Sequence, residues 1–532
     1  MNAADNGATL LAALRQSAPY PHLVRRVELI ETHISWVLLT GSYAYKVKKP
    51  VNLGFLDFTT LKARRRYCEE ELRLNRRLAP ELYLDVVPIA GTAQHPRVGG
   101  DGPPIEYAVK MKEFGQSALF DNALARGEVS IKTIETLARK IADFHARLPP
   151  QAPAAGSDVS AAVLAPAVEN FDQIRPLLEA PADIAALNEI QAWTLREFKT
   201  NAARFAERQA QCCVRECHGD LHLGNIVLLD GAAVPFDGIE FNPALRWMDV
   251  MNEAAFLVMD LEAHGRRDLA YAFLSAYVEA GGDYAGMAQL PFYLVYRALV
   301  RAKVNRIRSL QNGLTPAQRQ QATAEYQRYI ERAAGYIREP RGAVIIMHGY
   351  SGSGKTTLTR ELLASLGAVR VRSDVERKRL HGLNALARAT AANGAGIYAD
   401  DETARTYAQL LADANYIAGA GFPVIVDATF LRTAHRAAFH ALALALGVPF
   451  AIVHMEATPA ELRNRLATRA AGGTDASDAT LQVLEAQIRN AEVLTGEELR
   501  DTVIATGSTA AAQRTLWDEL AKRIAGPGNT PL

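Results

Sequence analysis

Gly349-Tyr350-Ser351-Gly352-Ser353-Gly354-Lys355-Thr356 constrains this chain more than any other stretch. Two glycines with four residues between them, followed by Lys and Thr, fit the P-loop pattern. The run before it, Ala343-Val344-Ile345-Ile346-Met347-His348, reads as a buried strand, and Thr357-Leu358-Thr359-Arg360-Glu361-Leu362-Leu363 after it as an amphipathic helix. In that setting the glycines let backbone N–H groups close around phosphate oxygens, and the helix N-terminus adds positive dipole. Lys355 is placed to reach the β- and γ-phosphates of ATP, and the Thr356 hydroxyl to ligate Mg2+. The expected nucleotide-binding residues therefore run from Gly349 to Thr357.

Beyond the loop, Val369-Arg370-Val371-Arg372, Pro423-Val424-Ile425-Val426, Phe450-Ala451-Ile452-Val453 and Thr502-Val503-Ile504 alternate with helical patterns. That alternation predicts a parallel α/β sheet with its ligands at the strand C-terminal ends. Asp427 ends the most apolar of these strands, the usual place for an acid that orients the water shell of magnesium. Asp374 follows Arg372-Ser373 and is expected to face the acceptor, where a carboxylate takes a hydroxyl proton. Arg463, Arg465 and Arg469 share one helix. Closing on the phosphates, Arg465 and Arg469 would neutralise charge at the transferring group, whereas the bland reading is a solvated helix face. The Asn-Lys-x-Asp stretch that reads guanine is not found.

The whole chain has 532 residues, 49% of them hydrophobic, enough for several real cores. A net charge of +1 argues against a general nucleic-acid binder. The N-terminus carries Asp5 and only a brief apolar run, which does not fit a signal peptide. The longest apolar stretch, Ala437 to Val453, contains His440, Gly447 and Pro449 and reads as helix, turn and strand, not a membrane span. Four cysteines fit a reducing, cytoplasmic setting. Cys212, Cys213, Cys217 and His218 form one run with no second cluster, so buried thiols are expected and not zinc.

Near the N-terminus, Ser35 to Pro50 reads as two strands joined by a turn at Gly41-Ser42. Lys46 and Lys48 then share a strand face. Thr60 to Leu78 is a charged helix, and Leu82 to Val87 and Ile105 to Met111 are further strands. A small antiparallel sheet with one helix is the shape of a kinase N-lobe, where a strand lysine and a helix glutamate pair around the ATP phosphates. Farther on stands His218-Gly219-Asp220-Leu221-His222-Leu223-Gly224-Asn225, then Ile226-Val227-Leu228-Leu229, a turn at Asp230-Gly231, and Val234-Pro235-Phe236-Asp237-Gly238. A carboxylate base must meet the acceptor hydroxyl, an amide five residues on can turn back to magnesium, and an aspartate beyond a hairpin completes the metal site.

This second run resembles the aminoglycoside-phosphotransferase-like family, whose catalytic loop reads His-Gly-Asp-x-His-x-x-Asn. The resemblance covers roughly residues 25–335. It implies Asp220 as base, Asn225 as a metal ligand and Asp237 as the second metal ligand, with Glu240 its rival. It implies Lys46 as the strand lysine with Lys48 behind it, Glu71 as its helix partner, and the backbone near Met111 as the hinge that meets adenine. Asp249 matches a family aspartate that braces the catalytic loop, His222 a support of that loop, and His145 a histidine on a lobe helix. One departure stands out: Gly41 is alone, where a protein kinase has a glycine-rich loop.

From Val168 to Gln209 and from Met251 to Ile337 apolar residues recur at helical spacing, the helices of a C-lobe. Arg297, Arg301, Lys303, Arg306 and Arg308 form a basic stripe there, by default a solvated face. Glu339-Pro340-Arg341-Gly342 marks a boundary. The expected fold class is an α+β bilobal protein-kinase-like domain over residues 1–338 (N-lobe 1–114, C-lobe 115–338), then an α/β P-loop domain with a parallel sheet over residues 339–532. The second domain resembles small-molecule P-loop kinases of the gluconate-kinase, polynucleotide-kinase and zeta-toxin kind. The pairing resembles proteins described as bifunctional aminoglycoside-phosphotransferase-like/ATP-binding. This implies an ATP- and Mg2+-dependent kinase acting on a small-molecule hydroxyl acceptor, with no membrane and no nucleic-acid partner. A nucleotide-sensing protein, one module binding ATP without transferring it, is the alternative.

Overall fold

Strand alternation near the N-terminus builds the first sheet. In Tyr43–Lys48, Tyr45 and Val47 enter one apolar core while Lys46 and Lys48 project from the other face, as a period of two requires. The computed structural model describes residues 3–52, 54, 56–150, 159–338, 342–383, 385, 400–472, 481–505 and 510–525. The chain gathers into two compact units: Met1–Lys140, Phe144–Ser157 and Arg208–Leu257 form one, and Ile141–Asp143, Asp158–Glu207 and Val258–Leu532 the other.

The first unit holds a six-stranded antiparallel sheet of β1 (Glu28–Glu31), β2 (Ser35–Leu39), β3 (Tyr43–Lys48), β4 (Tyr83–Gly91), β5 (Pro96–Val98) and β6 (Pro104–Lys112), in the order β1-β2-β3-β6-β4-β5. Helix α1 (Ala3–Leu14) sets Leu10 and Leu14 against Trp36, Leu38, Tyr45 and Val47 on one face. Helix α2 (Leu61–Asn75) serves the other. Thr60 caps it by accepting from the Ala63 N–H, 3.1 Å away, and its buried residues Arg64, Cys68, Glu71 and Asn75 recur at helical spacing. Two further helices, α3 (Phe120–Ala125) and α4 (Ile131–Arg147), are followed by α5 (Ala165–Ile174) and α6 (Pro181–Ala210).

Strand β7 (Val214–Glu216) opens the catalytic-loop region, and the hairpin of β8 (Ile226–Leu229) and β9 (Ala232–Pro235) follows. Its turn is Asp230-Gly231 with φ of +49° and +78°, the left-handed pair that suits a two-residue hairpin. Strand β10 (Trp247–Asp249) pairs with β7 and leads into α7 (Val250–Ala263). In the second unit α8 (Arg267–Gly281), α9 (Leu290–Ser309) and α10 (Pro316–Arg338) bury Phe273, Tyr277, Phe292 and Tyr293 as core. The basic stripe on α9 is largely absorbed by packing. Arg297 is buried, Arg301 lies over the Tyr329 ring, and Arg306 donates to the Leu177 carbonyl 3.0 Å away.

The P-loop part is a five-stranded parallel sheet, order β12-β13-β11-β14-β15, of β11 (Ala343–His348), β12 (Val369–Arg372), β13 (Pro423–Asp427), β14 (Phe450–Met455) and β15 (Thr502–Ala505). Its helices are α11 (Lys355–Leu366), α12 (Ser373–Leu380), α13 (Asp400–Gly419), α14 (Thr433–Leu446), α15 (Pro459–Gly472), α16 (Leu481–Asn490) and α17 (Ala510–Ala525). All of β11 and β13 is buried, which explains their unbroken apolar runs. No described helix is long and apolar enough to cross a membrane. Leu362 is fully buried against this sheet with Ile345, Ile425 and Leu516. Leu362→Ala should therefore lower unfolding free energy by about 2–5 kcal/mol, read from urea denaturation of the full chain.

Candidate active sites

Period two in β3 places Lys46 and Lys48 side by side, and the buried face of α2 presents Glu71 to both. Lys46 Nζ donates to Glu71 Oε1 at 2.8 Å and also pairs with Asp237, while Lys48 Nζ pairs with Glu71 Oε2 and with Glu240. Both lysines therefore meet the same glutamate. The two pairs differ in access: the Lys48 and Glu240 side chains are 0% and 4% exposed, whereas Asp237 is 40% exposed. Asp237 adopts a left-handed φ of +61°, and its N–H donates to the Tyr83 hydroxyl at 3.1 Å. The next N–H, of Gly238, donates to Asn75 Oδ1 at 2.8 Å, so α2 holds this bend as well as the lysines. Burial drives the Glu71 carboxyl upward, but Lys46 and Lys48 outweigh it and hold the pKa down to about 2. At Glu240 burial prevails over Lys48 and raises the pKa.

The turns of this sheet correct one expectation. Gly41 lies at the end of β3 remote from Lys48, where the Thr40 and Gly41 N–H groups both donate to Glu113 Oε2 at 2.7 Å. The turn at the Lys48 end is Thr32–Ile34, since Ser35 pairs with Lys48, and it has no glycine; the Thr32 hydroxyl accepts from the Ser35 N–H at 2.9 Å. Met111 sits inside the sheet, paired with Ala44 and Tyr83, and its strand ends one residue later. Beyond it Phe114 packs edge-on against Phe236, ring centres 5.2 Å apart.

The run from His218 to Asn225 closes on itself through short contacts. Asn225 Nδ2 donates to Asp220 Oδ2 at 2.8 Å and to the Asp220 carbonyl at 3.1 Å, which leaves the amide oxygen as an acceptor. His222 Nε2 is 3.4 Å from Asp220 Oδ2, and its Nδ1 accepts from the Gly224 N–H at 3.1 Å. His218 Nε2 bonds the Phe236 carbonyl at 2.9 Å, tying the loop to the strand that precedes Asp237. Beneath it, Glu253 accepts from the Gly219 N–H at 2.7 Å and from His145 Nε2 at 2.6 Å. Glu253 was not anticipated; it lies three residues into α7, where nothing in the sequence separates it from a surface acid. Asp249, expected to brace the loop, makes a two-pronged pair with Arg208 at 2.6 and 2.7 Å and caps α7 through the Met251 N–H. Cys217 joins His145 and Glu253 in a buried group whose ligand atoms lie within 4.8 Å of one another. Both Glu253 oxygens are already engaged, and the Cys217 thiol points to the Met248 carbonyl, which makes a packed network of it.

At the second site β11 delivers the loop and α11 begins at Lys355. Gly349, Gly352 and Gly354 have φ of +146°, +85° and +98°, conformations that a side chain would strain. Lys355 Nζ donates to the Gly349 and Tyr350 carbonyls at 2.9 and 2.8 Å, and Thr357 follows it in the first turn of α11. The Thr356 hydroxyl donates to Asp427 Oδ2 at 2.8 Å, so the acid at the end of β13 meets the P-loop threonine directly. β13 is the neighbour of β11, and β12 lies beyond it. Asp374 stands in the first turn of α12 just past β12, beside Ser373, whose hydroxyl donates to the Asp427 carbonyl at 3.2 Å. Arg465 Nη1 donates to the Ser353 carbonyl at 3.1 Å, placing α15 against the loop, with Leu466 packed over Gly352. Arg463 turns to Glu485 instead, and the side chain of Arg469 lies outside those described. Gln487 on α16 also escaped sequence analysis; it accepts from the Ser351 N–H and donates to the Ser351 hydroxyl, both at 3.0 Å.

The structure thus holds two constellations, Lys46–Glu71–Asp237 with Asp220–Asn225 on an antiparallel sheet and Lys355–Thr356–Asp427 on a parallel α/β sheet. Residues 344–494 match the profile of a family described as "AAA domain". An uncharacterized protein of Mycobacterium tuberculosis is similar over 473 residues at 29% identity, spanning 89% of this chain and 92% of its own. Among solved structures, a choline/ethanolamine kinase family protein from Mesorhizobium loti is similar at 12% identity and a TM-score of 0.37, over 62% of this chain and all but 1% of its own (99%). A gluconokinase from Sinorhizobium meliloti is similar at 19% identity and a TM-score of 0.26, over 36% of this chain and 100% of its own.

The Glu71 pKa predicts an acid-side signature. Its folded value of about 2 lies below the ordinary 4.5, so its contribution is full above 4.5 and is lost as pH falls through about 2. Glu71→Gln should flatten that slope. At neutral pH it should cost about 3–5 kcal/mol, because two buried lysines lose their shared partner. Urea midpoints between pH 7 and pH 2 check both effects.

Proposed function

We propose that the chain is an ATP-dependent phosphotransferase with two nucleotide-binding modules, each passing a phosphoryl group to a hydroxyl of a small molecule. The observation that carries this reading is the double occurrence of one design: Lys46–Glu71–Asp237 beside Asp220–Asn225, and Lys355–Thr356–Asp427 beside Asp374. A phosphoryl transfer asks little covalent chemistry of the protein, so positioning and charge stabilisation carry the reaction. The donor sets suit a hard cation: carboxylate and amide oxygens in the first site, a hydroxyl and a carboxylate in the second. Asn225 and Asp237 in the first site, and Thr356 and Asp427 in the second, would hold magnesium, which would supply positive charge against that of the phosphates.

In the first module Lys46 and Asp237 are the working pair, because Asp237 is open while Lys48 and Glu240 are sealed behind them. Asp220 accepts the acceptor's proton, oriented by Asn225. In the second module Lys355 holds the phosphates, Thr356 and Asp427 the metal, and Asp374 takes the proton. Arg465, and with it Arg469, would meet charge that develops on the transferring group. A second reading, nucleotide sensing by the first module, is favoured by the glycine-free Thr32–Ile34 turn at the Lys48 end of β3.

Incubating the full chain with ATP and a metabolite pool, with mass spectrometry as readout, tests the proposal. Asp220→Asn should retain ATP binding and lose about 10²–10⁴-fold in transfer to one acceptor, since a base is removed while shape is kept. Lys355→Ala should abolish most ATP affinity at the P-loop, measured by calorimetry. Transfer left intact in both variants would exclude phosphotransfer at the assigned residues. Transfer that is absent from the wild type, with ATP binding at both sites retained, would favour sensing.

A further inference from the structure

Helix α8 belongs by sequence to the helical stretch that precedes the P-loop part, yet its last turns lie against β12, the edge strand of the parallel sheet. Ser275 Oγ accepts the Arg370 N–H at 3.1 Å, which satisfies a main-chain donor on that edge. Glu279 Oε2 stands 3.6 Å from the Arg370 guanidinium, and Glu279 Oε1 stands 3.6 Å from that of Arg372. The Glu279 carbonyl, at the negative end of the helix, takes a hydrogen bond from Arg379 of α12. Gly282 ends α8 in a left-handed turn, and a Cβ there would come within 2.8 Å of Arg379 Nε.

These contacts lead to the reacting groups in two directions. Arg370 is buried, and its Nη1 lies 3.4 Å from the Thr356 carbonyl and 3.3 Å from the Thr359 hydroxyl, in the first turns of α11. Thr356 is the residue whose hydroxyl meets Asp427 at 2.8 Å. Arg372 ends β12 two residues before Asp374, and Arg379 lies on α12, the helix that Asp374 enters. A buried guanidinium needs an anion, and Glu279 supplies it from outside the P-loop part.

We propose that Glu279 is a positioning residue of the P-loop site: through Arg370 it sets the first turn of α11 that carries the metal-binding Thr356, and through Arg372 it sets the end of β12 that leads into Asp374. This rests on the reading of Thr356 and Asp427 as the metal pair. It makes α8 a component of the second active site, so residues 339–532 alone lack part of their own phosphate-site support.

The test uses the full chain carrying Asp237→Asn, which removes the metal carboxylate of the first module, and titrates a fluorescent ATP analogue at graded magnesium. Glu279→Gln should raise the magnesium needed for half-maximal binding about 10-fold, the usual effect of losing a support behind a metal ligand. Affinity at saturating magnesium should fall by less than about 3-fold, because Lys355 is untouched. Ser275→Ala, a milder change, should move the magnesium midpoint in the same direction by about 2–3-fold and carries the test if Glu279→Gln does not fold. An unchanged magnesium midpoint in the folded variants, even with a lower melting temperature, would reduce the contact to a structural one and overturn the inference. Lys355→Ala in the same background separates the two failures. If it abolishes binding while the α8 variants do nothing, only this inference falls; if it leaves binding intact, the P-loop assignment falls and takes the inference with it.

Discussion

Glu71 is the group on which the first site depends. One carboxylate, fully buried, faces two lysines from the neighbouring strand, and each lysine passes on to a further acid, Asp237 or Glu240. Burying four charged groups, Glu71, Lys46, Lys48 and Glu240, is costly, and ion pairs in such places rarely add net stability over apolar packing. What they supply is register. Lys46 and Lys48 can satisfy the two oxygens of one glutamate only if β3, α2 and the bend after β9 are all in place at once. Asn75, one turn along from Glu71, fixes the same bend through Gly238. Loss of Glu71 itself would remove the partner of both buried lysines at once.

The P-loop site meets the same problem with other means. On the proposed reading its phosphate-facing groups would be the backbone amides of the loop and the start of a helix, which need no counter-charge of their own. Lys355 donates to the loop carbonyls of Gly349 and Tyr350. The acid Asp427 reaches Thr356 because β13 is the immediate neighbour of β11 and both end at the same level. Side-chain pairing specifies the first site; sheet order specifies the second.

That difference decides what the sequence made legible. P-loop, parallel sheet and the places of Asp374 and Asp427 follow from local runs, because each strand is apolar along its whole length and each motif is contiguous. The strands around Lys46, the charged helix from Thr60 and the Asp230-Gly231 turn were equally readable, being matters of period and turn chemistry. Strands β1 and β5 were not, since four- and three-residue edge strands such as Glu28–Glu31 and Pro96–Val98 carry too little pattern. Glu253, Gln487 and Glu279 share a different difficulty. Each is a polar residue on a helix, ordinary in spacing, whose role comes from a partner 34, 136 or 91 positions away in the chain. The choice between Lys46 and Lys48 was also beyond periodicity, because the two occupy the same face and only the depth of Asp237 against Glu240 separates them.

Depth also explains why two lysines are present where a kinase N-lobe needs one. Lys46 faces the half-open Asp237, so an incoming polyanion and its cation would compete directly for both members of that pair. Glu71 would then lose part of its neutralisation at the moment the site fills, were Lys46 its only partner. Lys48, sealed against Glu240, keeps one oxygen of Glu71 paired whatever Lys46 does. The rear pair thus buffers the charge of the front one. Strand and helix stay registered while Lys46 changes partners, and the cost of opening the front pair is confined to one ion pair near solvent, where the penalty is small compared with the buried interior.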